Sequence, residues 1–201
     1  MTLEVIHLEF DYSDKPLLQH IDFTVNQGQA LHLRGGNGVG KSTLLKLLSG
    51  ILYPTQGDIR YQGHSIYQNK GPFQQNICYV GHKNAFSPWL TVLENCRFVL
   101  NRTITIQDCR KLMHTFDLSS YENVLYGQLS EGLRRRVALL RLWMTEASIW
   151  LLDEPLVALD RHSVDLFIQA LTSHLSKGGL VVLSSHQPLA LADEYYREYD
   201  L

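Results

Sequence analysis

Gly35-Gly36-Asn37-Gly38-Val39-Gly40-Lys41-Ser42 fits the pattern G-x-x-x-x-G-K-[ST] and stands between a predicted strand, Gln29 to Leu33, and a predicted helix, Ser42 to Ser49. Those flanks give the pattern its chemistry. Glycines let the backbone bend tightly round an anion, so that several N–H groups point inward at phosphate oxygens. The helix that follows presents the positive end of its dipole. Lys41 adds a mobile charge, and the Ser42 hydroxyl is suited to Mg²⁺. The expected phosphate contacts therefore run through Gly35, Gly36, Asn37, Gly38, Val39, Gly40, Lys41, Ser42 and Thr43. The chain is expected to bind a nucleoside triphosphate.

A second stretch answers the first. Ile149-Trp150-Leu151-Leu152 is a continuous apolar run, suited to a buried parallel strand, and it ends in Asp153-Glu154. A buried strand ending in adjacent acids delivers charge to the edge of the sheet where ligands of α/β proteins bind. Asp153 is placed to hold Mg²⁺, directly or through water, and Glu154 to polarise the water that attacks the γ-phosphate.

Between these points the periods alternate. Leu3 to Tyr12 and Leu18 to Val25 predict strands, and Asp58 to Tyr61 with Ser65 to Tyr67 predicts a hairpin; together they make a small antiparallel β-layer. Ile77 to Val80 and Leu180 to Leu183 predict further strands. Thr91-x-x-Glu94 opens a helix to Leu100 as a capping box, and helical spacing recurs over Ile106 to Phe116, Gly132 to Met144 and Arg161 to Leu175. The expected fold is α/β: a P-loop NTPase core with a parallel sheet, an antiparallel β-layer and a helical insert over about residues 85–131, all within one domain of residues 1–201.

Composition narrows the function. With 201 residues, 45% hydrophobic and 19% charged, the chain can bury a sizeable core. A formal net charge of −2 supplies no global basic field for nucleic acid. No apolar run approaches the ~18 residues of a membrane span. The start Met1-Thr2-Leu3-Glu4 is unlike a signal peptide, so a cytosolic location is expected, with any membrane role reached through a partner. Cys78, Cys96 and Cys109 are odd in number and widely spaced, which predicts reduced thiols. His7, His20, His32, His64, His114, His162 and His174 form no evident ligand pair, and there is no CxxCH.

The order of these features resembles the nucleotide-binding domain of ABC transporters along essentially the whole chain. Leu129-Ser130-Glu131-Gly132-Leu133 is similar in part to the LSGGQ signature, Ala158-Leu159-Asp160 to the D-loop, and His186 after Ser184-Ser185 to the switch histidine. The resemblance implies that Tyr12 stacks on adenine, and that Ser130 and the Gly132 backbone of one copy meet the γ-phosphate held by a second. It thus implies an ATP-dependent head-to-tail dimer with Asp160 at its interface. Glu131 and Leu133 depart from the usual Gly and Gln, and a carboxylate beside a triphosphate is expected to face away. In Tyr79-Val80-Gly81-His82 a histidine stands where most members carry a glutamine that touches Mg²⁺ and couples to the membrane subunit, which makes His82 a candidate metal ligand. Gly-His at that loop, the run from Arg135 to Trp143 and Ser185-His186-Gln187-Pro188-Leu189 resemble the ATPases of cytochrome c maturation haem exporters. That likeness implies a peripheral inner-membrane ATPase working with two integral membrane subunits, CcmB and CcmC, with Phe86-Ser87-Pro88-Trp89 in the docking surface. Arg134 to Arg136 on the signature helix is expected to be a solvated face or a phosphate contact.

Overall fold

The computed structural model describes residues 1–12, 15–68, 70–82, 85–99 and 104–201. Alternating buried and exposed positions draw strands β1 (Thr2–Tyr12) and β2 (Lys15–Asn26) into an antiparallel pair. With β4 (Gln56–Tyr61) and β5 (His64–Ser65) they form a four-stranded sheet in the order β2-β1-β4-β5. The second strand of the hairpin is shorter than the expected Ser65 to Tyr67. Ile66 is buried, and the Tyr67 hydroxyl donates to the carbonyls of Leu47 and Leu52, which draws this segment off the sheet edge.

β1 is irregular between Ile6 and Glu9, where it passes Gly57 on β4. Gly57 has φ +83°, and a Cβ there would fall against the carbonyl oxygens of His7 and Ile6. Gly57→Ala combines left-handed strain with a backbone clash, so it is expected to cost ~2 kcal/mol or more. A thermal melt should then fall by roughly 4–8 °C, and an unchanged midpoint would refute the account.

The second sheet is parallel. β3 (Ala30–Arg34), β6 (Ile77–Val80), β7 (Ile149–Asp153), β8 (Leu180–Ser184) and β9 (Tyr196–Asp200) lie in the order β6-β7-β8-β3-β9. Every residue of β7 and β8 is buried, as expected of central strands covered on both faces. Their side chains divide by period two. Ile149 and Leu151 join the core shared with the antiparallel sheet and with Leu44, Leu45, Leu47 and Leu48 of α1 (Lys41–Leu48). Trp150 and Leu152 face the other way, onto Phe167, Leu171 and Leu175 of α6 (Arg161–Ser176). Each fully buried Leu or Phe in these layers contributes ~1.5–3 kcal/mol.

A third apolar cluster is helical. Val92, Leu93 and Cys96 of α3 (Val92–Val99) and Cys109 and Met113 of α4 (Ile106–Thr115) pack with Val137 of α5 (Glu131–Leu139). The Thr91–Glu94 capping box forms in both directions, at 2.8 and 3.2 Å. Leu100, the expected end of α3, lies outside the described residues. α5 is shorter than the expected Gly132 to Met144, because the chain tightens into a 3₁₀ turn at Leu140–Leu142. Three residues per turn stack Leu142 under Leu139 towards the parallel sheet, while Leu140 joins the helical cluster. Among the described strands and α-helices, β9 and the short helix α2 (Lys70–Gln75) were not expected.

Candidate functional site

The loop between β3 and α1 curls round its own lysine. The Lys41 ammonium donates to the carbonyls of Gly35 at 2.7 Å and Gly36 at 2.9 Å and is only 8% exposed. Gly40, the residue before α1, has φ +109°, and a Cβ there would stand 2.7 Å from a Leu18 methyl on β2. Only glycine lets the antiparallel sheet approach the loop this closely. The amides of the loop and the first turn of α1 form an electropositive rim.

Across the cleft, β7 ends at Asp153, which is 2% exposed and accepts a 2.8 Å hydrogen bond from the Ser184 hydroxyl on β8. Glu154 turns out of the sheet with φ +49°, its N–H donating to the Ser184 carbonyl at 3.2 Å and hydroxyl at 3.0 Å. The Glu154 Oε1 atom is buried and without a hydrogen-bond partner among the described residues, 3.6 Å from His186 Nε2. Such an atom costs ~1–3 kcal/mol unless a donor arrives, so it is a prepared acceptor. Below it, buried His32 places one ring nitrogen 2.8 Å from the Ser185 carbonyl and the other 2.5 Å from the Tyr196 hydroxyl, steadying the strand end that carries His186.

Leu17, Asn37, Gly38, Gly40, Lys41, Ser42, Thr43, Asp153, Glu154 and His186 line one cleft of about 230 Å³. Its donors of hard oxygen, the Ser42 hydroxyl and the Asp153 carboxylate, suit a Mg²⁺ ion that takes few protein ligands and keeps water and phosphate oxygens. Leu17 was not foreseen; nothing in its strand pattern distinguishes a cleft wall from a core position.

Other candidates lie apart. Tyr12 is half-exposed at the end of β1, its ring edge-on to Phe10 at 4.9 Å, and does not line the cleft. His82 is exposed just after β6, also outside it. Ser130 caps α5, its hydroxyl accepting from the Leu133 N–H at 3.3 Å, and is exposed, as is Glu131. Gly132 packs on the turn before α6, where a Cβ would stand 2.7 Å from the Ala158 carbonyl oxygen. Asp160 caps α6 through a 2.8 Å bond from the Ser163 N–H, which holds its carboxyl below the usual range, and lies 3.5 Å from Arg136.

The three arginines correct the expectation of a solvated face. Arg134 donates to the Gly127 carbonyl at 2.6 Å and Arg136 to that of Phe116 at 3.4 Å, while Arg135 is 5% exposed. Each guanidinium is turned onto a backbone carbonyl, with Arg136 also beside Asp160, which a cluster of long cations in sequence does not reveal.

The sequence profile of the ABC transporter family matches residues 18–157. The cytochrome c biogenesis ATP-binding export protein CcmA of Legionella pneumophila is 46% identical over 199 residues, covering 99% of this chain and 100% of that protein. CcmA of Escherichia coli K12 is 38% identical over 99% of this chain and 96% of its own length. Among solved structures, an ATP-binding subunit of an ABC transporter superposes with a TM-score of 0.85 at 24% identity, covering 98% of this chain and 85% of that one. No helix among the described residues is long and apolar enough to cross a membrane.

Proposed function

The chain belongs to the ABC transporter family, and on that premise we propose that it is the ATP-hydrolysing subunit of a cytochrome c biogenesis exporter, powering release of a haem-loaded chaperone. The observation that carries the ATPase reading is the cleft lined by the lysine of the glycine loop and by a buried carboxylate whose Oε1 has no hydrogen-bond partner among the described residues and lies beside a histidine. The biogenesis role rests on relatives matched along essentially their whole length.

In this reading the loop amides bind the β- and γ-phosphates, and Lys41 exchanges its two carbonyl acceptors for phosphate oxygens. Ser42 and Asp153 would hold Mg²⁺, which would supply charge screening on the phosphates. Glu154 takes a proton from water as the water oxygen bonds to the γ-phosphorus and the bridging P–O bond to ADP breaks. His186 contacts the γ-phosphate, and Tyr12 stacks on adenine. Ser130 and Gly132 serve a second copy, since the exposed start of α5 lies outside this chain's own cleft. Two copies would then bind head to tail around two ATP molecules, with Asp160 near the interface.

Residues 1–201 act as one domain, whose helical insert, about 85–131, docks on the membrane subunits CcmB and CcmC at the cytoplasmic face of the inner membrane. Trp89 and Phe98 there are each 82% exposed, an apolar surface suited to a protein partner. His82 stands in the family's coupling position. Affinity purification from native membranes in mild detergent, with mass spectrometry, should recover CcmB and CcmC, and Trp89→Ala should lower that recovery by roughly tenfold or more if Trp89 is a central anchor. Recovery of another permease would reassign the cargo; ribosomal or nucleic-acid partners would overturn transport.

A further inference from the structure

Arg135 is a buried cation whose three guanidinium nitrogens reach carbonyls from two other segments of the fold. Nη1 donates to Gly81 at 2.9 Å, Nη2 to Asp153 at 2.5 Å and Nε to Pro155 at 3.3 Å. Gly81 immediately precedes His82. Asp153 and Pro155 flank Glu154, so the carbonyls of the residues on either side of it are both tied to α5. Glu154 itself is in the left-handed region, which no L-residue with a side chain occupies freely. It stays there only if the surrounding structure over-determines it.

We propose that Arg135 is a positioning residue: from the helix that opens at Ser130, it holds the Glu154 turn and the loop before His82 in one fixed relation. A rigid displacement of α5 therefore moves the carboxylate that activates water. A guanidinium suits this task because its planar fork aims several donors at once, whereas a lysine ammonium is a compact charge on a flexible stem. Burying a cation is a poor route to stability alone. The inference rests on Glu154 as the base and adds a residue that sets its geometry.

The test uses the chain with its co-purified membrane subunits and the variants Arg135→Met and Arg135→Lys, each with and without Glu154→Gln. Misplacing a catalytic group by an ångström costs ~10²-fold, so Arg135→Met is expected to lower kcat by about that factor with ATP affinity and KM within about twofold. Arg135→Lys, which retains the charge and the fold, should remain at least ~10-fold down. In the Glu154→Gln background neither change should lower the residual rate further, because both act on one step. Near-normal turnover in Arg135→Lys, additive losses in the double variants, or loss of ATP binding in step with melting temperature would each overturn the role of Arg135. Near-normal turnover in Glu154→Gln alone would instead remove the reading of Glu154, a result distinct from all of these.

Discussion

Glu154→Gln is expected to lower ATP turnover by ~10²–10⁴-fold while ATP affinity stays near that of the parent. The substitution is nearly isosteric. It leaves in place the N–H bonds from residue 154 to Ser184 and the left-handed turn, so the cleft keeps its shape. What disappears is the capacity of the carboxylate, whose buried Oε1 lies 3.6 Å from His186 with no hydrogen-bond partner among the described residues, to accept a proton from water. With hydrolysis blocked and ATP retained, the closed head-to-tail dimer should accumulate. Analytical ultracentrifugation of the ATP-loaded variant with its membrane partner is the direct readout. A monomer under those conditions would sink the composite-site arrangement, and a near-parental rate would sink Glu154 as base.

Lys41→Ala carries the second large effect, and it acts twice. A charge-assisted hydrogen bond to phosphate contributes ~1.5–3 kcal/mol, so ATP affinity should weaken by roughly 10–100-fold. Without nucleotide, the same ammonium satisfies the carbonyls of Gly35 and Gly36, and its removal leaves the loop without its internal tie. The variant should therefore melt lower even without ATP, and the stabilisation that ATP confers on the parent should largely vanish. Titration calorimetry with a slowly hydrolysed ATP analogue, paired with melts with and without it, measures both effects. An affinity within twofold of the parent would show that Lys41 does not exchange its carbonyls for phosphate.

What could be read from the chain alone was what is encoded locally. The glycine loop, the apolar run ending in Asp153-Glu154 and the Thr91–Glu94 cap each depend on neighbours within a few positions, and each lies where its pattern points. The alternation of strands and helices likewise yielded the parallel sheet and the antiparallel layer. β9 escaped notice because Tyr-Arg-Glu-Tyr-Asp is an edge strand with mostly exposed positions and no apolar run. α2 escaped because Gly71-Pro72 reads as a break, although proline is well tolerated in a first turn. The burial of Arg135 was illegible for a different reason. Its acceptors are carbonyls, which every residue carries, brought from Gly81 and from Asp153 to Pro155 by the fold alone. Leu17 enters the cleft by the same kind of long-range approach, through the closeness that Gly40 permits.

The pairing of β3 with β8 on one side and β9 on the other has a consequence for biosynthesis. The strand that launches the phosphate loop leaves the ribosome early, yet both strands that flank it are made roughly 150 residues later, some 10–30 s at ordinary elongation rates. Until then Leu31 and Leu33 have no sheet to enter, and the loop after them has no fixed stem. The antiparallel layer can close first, since its partners lie within the first 65 residues. The nascent chain thus passes through an interval in which the apolar side chains of β3 are unburied and the loop after it is not yet held, a window for chaperone engagement that closes only when the final strands arrive.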